Sequence, residues 1–319
     1  MILGQDRAVA RFREAMDSGS LHHGWLLAGP RGVGKASFAR EAATRLLANA
    51  AGPSVTLPGI GTPGDHPVSR YVAAGSHPDF RWIEREPNDK GDALRRNISV
   101  KQVRKLGEFF ASTTSLSPWR AVVIDSVDDL EREGANALLK MLEEPPANTL
   151  FLLVSHAPGR LLPTIRSRCR RLDFQTLDDE AMASALIEAL PNAHAAERER
   201  LVPLAAGSVG RAIAYAGLDL APLEADALVI LREGDPTNLR RSKLAQGMGG
   251  KAAAERYNAF LVLIPSLIAR EARALHGAHQ ERALDAYARA RETAAIANRL
   301  SLDPAATVFQ LGTILAAVP

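Results

Sequence analysis

The chain has 319 residues, 46% hydrophobic and 24% charged, a balance that excludes a disordered or fibrous polymer. At about 100–200 residues per domain, the length predicts two or three domains. Lys and Arg total 39 against 36 Asp and Glu, a formal net charge of +3, so contact with nucleic acid has to come from a local patch and not from bulk charge.

In chain order, MILGQDRAVARFRE carries charges too early for the apolar core of a signal peptide. Val9, Phe12 and Met16 recur at helical spacing, and Trp25-Leu26-Leu27-Ala28 is a short apolar run stopped by Gly29-Pro30, as a buried strand is. Residues 50–76, rich in Gly, Pro, Ser and Thr, read as an extended surface loop. Ser99 predicts the cap of a helix with Val103, Leu106 and Phe110 on one face. Arg120–Asp125 and Thr149–Val154 read as core strands, separated by a helix over Gly134–Glu144 that Pro145-Pro146 ends. This alternation predicts an α/β fold built on a parallel sheet.

After Phe174 the strand signals stop, and Ala, Leu, Glu and Arg dominate with breaks near Pro191, Gly207, Gly217, Gly234-Asp235-Pro236 and Gly247–Gly250. The predicted division is an α/β core over 1–176, a small helical domain over 177–217 and an all-α domain over 218–319. The most apolar stretch, FLVLIPSLIA at 260–269, is shorter than the ~18 residues of a membrane span and reads as a buried helix kinked at Pro265. No membrane partner is expected.

Gly29-Pro30-Arg31-Gly32-Val33-Gly34-Lys35 follows a predicted strand and opens a predicted helix, the context a phosphate-binding loop requires: glycines turn successive N–H groups toward an anion, and the lysine reaches the outer phosphates. The residue after the lysine ordinarily offers a hydroxyl to magnesium; here it is Ala36, and Ser37 stands about 100° further round the helix. Asp125 ends a strand where a magnesium-organising carboxylate belongs, but the next residue is Ser126, a hydroxyl with no capacity as a general base at neutral pH. Asp128 and Asp129 read as helix-capping or solvated acids. The residues therefore predict a nucleotide-site relic with weak or absent hydrolysis. An active ATPase using Ser37 and another base is the competing reading.

Ser167-Arg168-Cys169 precedes the last apparent strand. Arg168 has two readings on residues alone: a guanidinium that stabilises charge on a transferring phosphoryl group, or a surface cation paired with a carboxylate. Cys169 is the one cysteine of the chain. It provides no disulfide framework, reads as a small buried hydrophobe, and places the chain by default in a reducing cytoplasm. Arg95-Arg96, Lys101, Arg104 and Lys105, and separately Arg240-Arg241-Lys243, are basic clusters read first as solvated helix faces and second as phosphate contacts.

Together Gly29–Lys35, Ala121–Asp125, NALLKMLEEPP at 136–146, Ser167-Arg168-Cys169, Gly4-Gln5 and His77-Pro78-Asp79-Phe80 resemble the clamp-loader subunits of bacterial DNA polymerase III, in the AAA+ superfamily. The likeness is close over residues 1–215 and extends to the helical tail by class only. It implies an AAA+ core, a helical lid over 177–217 and an oligomerising collar over 218–319.

Motor subunits of that family (gamma/tau) carry Thr after the loop lysine and Glu after the strand aspartate. Ala36 and Ser126 instead make the chain similar to the delta-prime class, as does Gly210 where the motor's Gly207-Ser-Val-Gly210-Arg211 counterpart carries an arginine. The resemblance implies a non-hydrolysing stator in a heteropentamer with gamma/tau and delta subunits, within the polymerase holoenzyme. Arg168 would reach the ATP of an adjacent motor while the assembly loads a sliding clamp onto primed DNA. It implies no required cofactor and weak or absent ATP or ADP at the chain's own loop. An autonomous motor-type ATPase is the alternative. Many members carry a four-cysteine zinc module where this chain has the cysteine-free 50–76 segment; zinc is not predicted, because His66 and His77 are too few ligands.

Overall fold

The computed structural model describes residues 2–248 and 253–319. The chain divides into two compact units, Met1–Ala181 and Met182–Pro319.

The first unit runs α1 (Asp6–Asp17), β1 (Gly24–Ala28), α2 (Lys35–Ala51), α3 (Pro67–Ala73), β2 (Phe80–Glu84), α4 (Val100–Ala111), β3 (Arg120–Asp125), α5 (Arg132–Glu143), β4 (Thr149–Ser155), α6 (Pro163–Ser167) and β5 (Arg170–Asp173). The strands form one parallel sheet in the order β2-β3-β4-β1-β5. Every residue of β1 and β4 is buried, as strands covered on both faces by crossover helices must be. Phe12 of α1, Trp25 of β1, Phe38 of α2 and Phe174 after β5 meet edge to face at centroid distances of 5.1–5.6 Å, which seats α1 and α2 against the sheet. On the other face, Val103 and Leu106 of α4 and Leu138 and Leu142 of α5 pack over Val122, Ile124, Phe151 and Leu153.

The strands at 24–28, 120–125 and 149–155 and the helix capped by Ser99 stand where the hydrophobic pattern predicts them. That cap is a full capping box: Gln102 N–H donates to Ser99 Oγ at 3.4 Å and Ser99 N–H donates to Gln102 Oε1 at 2.9 Å.

Four expectations need correction. The buried face of α1 is Ala8, Phe12 and Ala15, one residue off the Val9–Met16 stripe. Phe109, not Phe110, is the buried aromatic of α4. The helix expected from Gly134 begins at Arg132. The 50–76 segment is more than an extended surface loop: it contains α3, buries Ile60 and His66, and is tied to α2 by Arg45, whose guanidinium donates to the carbonyls of Leu57 and Gly61. β2, an edge strand, has no counterpart among the predicted elements.

The second unit holds most of α7 (Asp179–Ala189), then α8 (Ala195–Ala205), α9 (Val209–Tyr215), α10 (Ala221–Glu233), α11 (Leu239–Gln246), α12 (Ala254–Ala272), α13 (Gly277–Leu300) and α14 (Pro304–Leu315). Helices stop at the Gly and Pro breaks read from the sequence; the break at Gly247–Gly250 lies partly outside the described residues. Phe260, Leu263, Ile264 and Ile268 of α12 are fully buried, with α13, α10 and α14 packed around them. Pro265 lies inside α12 and is itself buried. Among the described residues no helix is long and apolar enough to cross a membrane.

Candidate functional site

β1 and β4 are parallel neighbours whose onward connections leave to opposite sides, β1 toward β2 and β4 toward β5, and ligands of open α/β sheets bind at such a switch point, beyond the carboxyl ends of the strands. The Gly29–Lys35 loop occupies that crevice. Gly29 is gripped there: its N–H donates to Ser155 O of β4 at 3.3 Å, its φ is +155°, and a Cβ on it would stand 2.2 Å from Phe174 O. Only glycine fits. Gly32 and Gly34 also have positive φ, of 74° and 98°, and Gly34 is the N-cap of α2. The Gln5 side chain ties the loop down by donating to Val33 O at 3.3 Å and Gln175 O at 2.8 Å.

Lys35 is 3% exposed. Its ammonium donates to Gly29 O at 2.7 Å and to Pro30 O. Burial pushes its pKa down to about 8, against the opposing pull of Asp125 and Asp128. Asp125 stands at the end of β3, beside Glu84 of β2 in the ladder. Burial and then Glu84 raise its pKa above the ordinary carboxylate range, while Lys35 works in the other direction.

The structure brings Gly29–Lys35 and Asp125 together and adds residues that pattern reading did not find. A cavity of about 290 Å³ is lined by Arg31, Glu84, Arg85, Leu94, Asp125, Ser126, Asp129 and His156. The newly found Glu84 and His156 share one signal, position: like Asp125, each ends or follows a parallel strand, at the edge where such sites form. His156 is held neutral, its pKa pushed down to about 4 by burial and then by Lys35 and Arg31.

Asp128 and Asp129 are not the helix caps or solvated acids expected. Asp128 accepts from Ser155 Oγ at 2.9 Å, His156 N–H at 2.5 Å and Ala157 N–H at 3.3 Å. Asp129 accepts from Ser126 Oγ at 3.0 Å and faces Arg85 Nε at 3.4 Å.

These donors do not fit a magnesium triphosphate. Ala36 presents a methyl group, Ser37 is exposed on the outer face of α2, and the buried Ser126 hydroxyl is committed to Asp129. Among the described residues no group of three or more His, Cys, Asp or Glu is placed to hold a metal ion.

Arg168 lies elsewhere. Trp25 at the start of β1 pairs with Arg170 at the start of β5, so Arg168 sits at the amino edge of the parallel sheet and the loop at its carboxyl edge. The length of β1, roughly 3.3 Å for each residue, separates them. The Arg168 guanidinium is 2.9 Å from Glu143 Oε1 and donates to Thr164 O at 3.0 Å. Ser167 Oγ also donates to Thr164 O, at 3.1 Å. Cys169 packs against the core, and burial pushes its thiol up to about 12, an inert sulfur.

The basic clusters divide. Arg240 and Lys243 pair with Asp226 at 2.9 and 3.0 Å, and Arg241 with Asp235 at 3.2 Å. Arg95 pairs with Asp89, whereas Lys101, Arg104 and Lys105 lie on the exposed face of α4.

A family model described as DNA polymerase III, delta subunit, matches residues 4–178. The chain is 38% identical over 186 residues to the DNA polymerase III subunit delta' of Pseudomonas aeruginosa, covering 58% of this chain and 53% of that protein. It is 32% identical over 185 residues to the subunit delta' of Bacillus subtilis, covering 58% and 51%. It is 31% identical over 185 residues to the gamma/tau subunit of Mycobacterium bovis, covering 58% and 30%. The chain thus spans about half the length, or less, of these curated relatives. Its fold is also similar to a crystal structure of a gamma subunit-related protein from Thermotoga maritima, at a TM-score of 0.47 and 16% identity over 98% of this chain and 99% of that one. With more than half of its length matched by the family model and delta' subunits aligned to the same stretch, the chain belongs to the delta' family of DNA polymerase III subunits.

Proposed function

We propose that the chain is a non-hydrolysing, stator-like subunit of a clamp-loading assembly. It stands beside gamma/tau ATPases and a delta subunit in a heteropentamer that places a sliding clamp on primed DNA. It lends Arg168 to the ATP of the adjacent ATPase. The observation that carries this reading is the position of Arg168: half-exposed, at the sheet edge opposite the chain's own loop, it serves no chemistry there. A guanidinium supplied across a subunit boundary stabilises the charge of phosphoryl transfer by ~10³–10⁵ in rate.

The chain's own loop supports the non-hydrolysing half of the reading. Lys35 is spent on the carbonyls of Gly29 and Pro30, and the hydroxyl following Asp125 is donated to Asp129. Ser126, not a carboxylate, stands directly after Asp125, where a base would take a proton from water, a loss worth ~10²–10⁴ in rate. ATP or ADP binds this loop weakly or not at all, and the chain requires no cofactor. The helices over 177–217 act as the lid and those over 218–319 as the oligomerising collar.

Two measurements test the proposal. The isolated chain is expected to show no ATP turnover above background, and Arg168→Ala is expected to lower turnover by a reconstituted complex while leaving assembly intact. Robust turnover by the chain alone, lost on Lys35→Ala, would replace the reading with a motor-type ATPase.

A further inference from the structure

We propose that Glu143 is the resting counter-ion of Arg168, holding the guanidinium at the subunit surface until the triphosphate of the neighbouring subunit's ATP displaces it; the assignment rests on the trans-arginine reading above. Glu143 is the last residue of α5, and Glu144 caps it. Two acids at the carboxyl end of a helix face the negative end of its dipole, a placement that costs stability. Departures of this kind from local preference concentrate at functional sites. Pro145-Pro146 fixes where the helix stops, and the stop delivers the Glu143 carboxylate to within 2.9 Å of Arg168 Nη2.

The main chains on both sides are clamped while the side chains are not. His23 Nε2 lies 3.2 Å from Leu142 O, tying the last turn of α5 to the residue before β1. At Gly24 a Cβ would stand 3.1 Å from Arg168 O, 3.2 Å from Cys169 Sγ and 3.5 Å from Leu142 Cδ2. The start of β1, the end of α5 and the Ser167–Cys169 turn therefore pack so closely that a Cβ at Gly24 would fit only if its neighbours gave by a few tenths of an ångström. Arg168 and Glu143 themselves are 36% and 42% exposed. The ion pair can open by side-chain rotation alone, and an exposed pair of this kind is weak. A triphosphate presents more charge and accepts the guanidinium fork bidentately, so it outcompetes a single carboxylate. Glu143 thus acts through Arg168 as a positioning residue, and its charge opposes capture of the neighbour's ATP.

The experiment uses a complex of this chain with gamma/tau and delta subunits, with ATP as the probe. Glu143→Gln and Glu143→Ala both remove the charge at an exposed position, and thermal melting checks that they fold. Each is expected to lower the KM for ATP about two- to fivefold, the equilibrium shift of one exposed pair, with the change in KM and not in kcat. In an Arg168→Ala background the same substitutions are expected to shift nothing. If Arg168→Ala leaves turnover unchanged, the trans-arginine reading and this assignment fall together. If Arg168→Ala depresses turnover but the Glu143 variants leave KM unchanged or raise it, or shift it equally without Arg168, the Glu143 assignment alone is overturned.

Discussion

Asp128 Oδ1 accepts the hydroxyl of Ser155 at 2.9 Å, so a carboxylate on the turn after β3 fixes the end of β4, and with the N–H groups of His156 and Ala157 it shapes the wall of the crevice at the carboxyl ends of the strands. Asp128→Ala is expected to destabilise the chain by about 2–3 kcal/mol, because it leaves a fully buried hydroxyl and two main-chain donors without an acceptor. Urea denaturation of the full chain measures the loss; a change within 0.5 kcal/mol, about what an ordinary surface substitution gives, would show that the carboxylate holds nothing.

Gly29→Ala combines a positive φ with a Cβ placed 2.2 Å from Phe174 O, a main-chain atom that cannot swing away. A loss of about 3 kcal/mol or more is expected from strain and displacement. Gly64→Ala, where a Cβ meets nothing within 4 Å, is expected to stay within about 0.5 kcal/mol of the parent. Thermal melting of the pair separates a glycine demanded by geometry from one that is not.

Asp79, buried in the His77-Pro78-Asp79-Phe80 segment, accepts the N–H groups of Ser115, Leu116 and Ser117 at 2.9, 2.7 and 3.0 Å. Asp79→Ala orphans all three and is expected to cost about 3 kcal/mol, while Asp79→Asn keeps an oxygen for two of them and costs about half as much. Equal losses in chemical denaturation would contradict this ordering.

His156 supplies a pH dependence. Burial holds its imidazole neutral down to about pH 4, against an ordinary value of 6.5. Between those values the unfolded chain takes up a proton that the folded chain refuses, so stability falls as pH drops from 6.5 toward 4. His156→Gln is expected to make that fall shallower but not flat, because burial also lowers the pKa of His77 and His23. NMR titration of the His156 ring reads its pKa directly, and a midpoint near 6.5 would sink the prediction.

The elements that pattern reading located are those whose neighbours are dictated by hydrophobicity alone. β1, β3 and β4 are apolar on both faces, so a run of Leu, Val and Ile announces them whatever packs alongside. β2 buries only Phe80 and Ile83 and sets Arg81 and Glu84 outward, and a short edge strand with charges is indistinguishable from a loop by periodicity. α3 is capped by His66, whose Nδ1 accepts Val68 N–H at 3.2 Å; histidine is not among the residues that signal a cap.

In the candidate site the loop glycines, Lys35 and Asp125 were legible because their spacing encodes a turn and a strand end. Asp128 was not, because its acceptor role depends on Ser155, twenty-seven positions away. Arg168 was legible as a residue but not as a partner of Glu143, since the contact is made by the fold.

Arg45, wholly buried, spends its guanidinium on the carbonyls of Leu57 and Gly61, while Arg13 donates to Gly59 O at 2.6 Å and His66 Nε2 lies 3.1 Å from Pro53 O. The cohesion of the cysteine-free segment at 53–66 therefore comes from guanidinium and imidazole nitrogens meeting peptide oxygen. Such fastening is indifferent to chelators and oxidants, so this excursion keeps its shape through swings in trace-element supply or cellular redox state that would unpick a thiolate-bound counterpart.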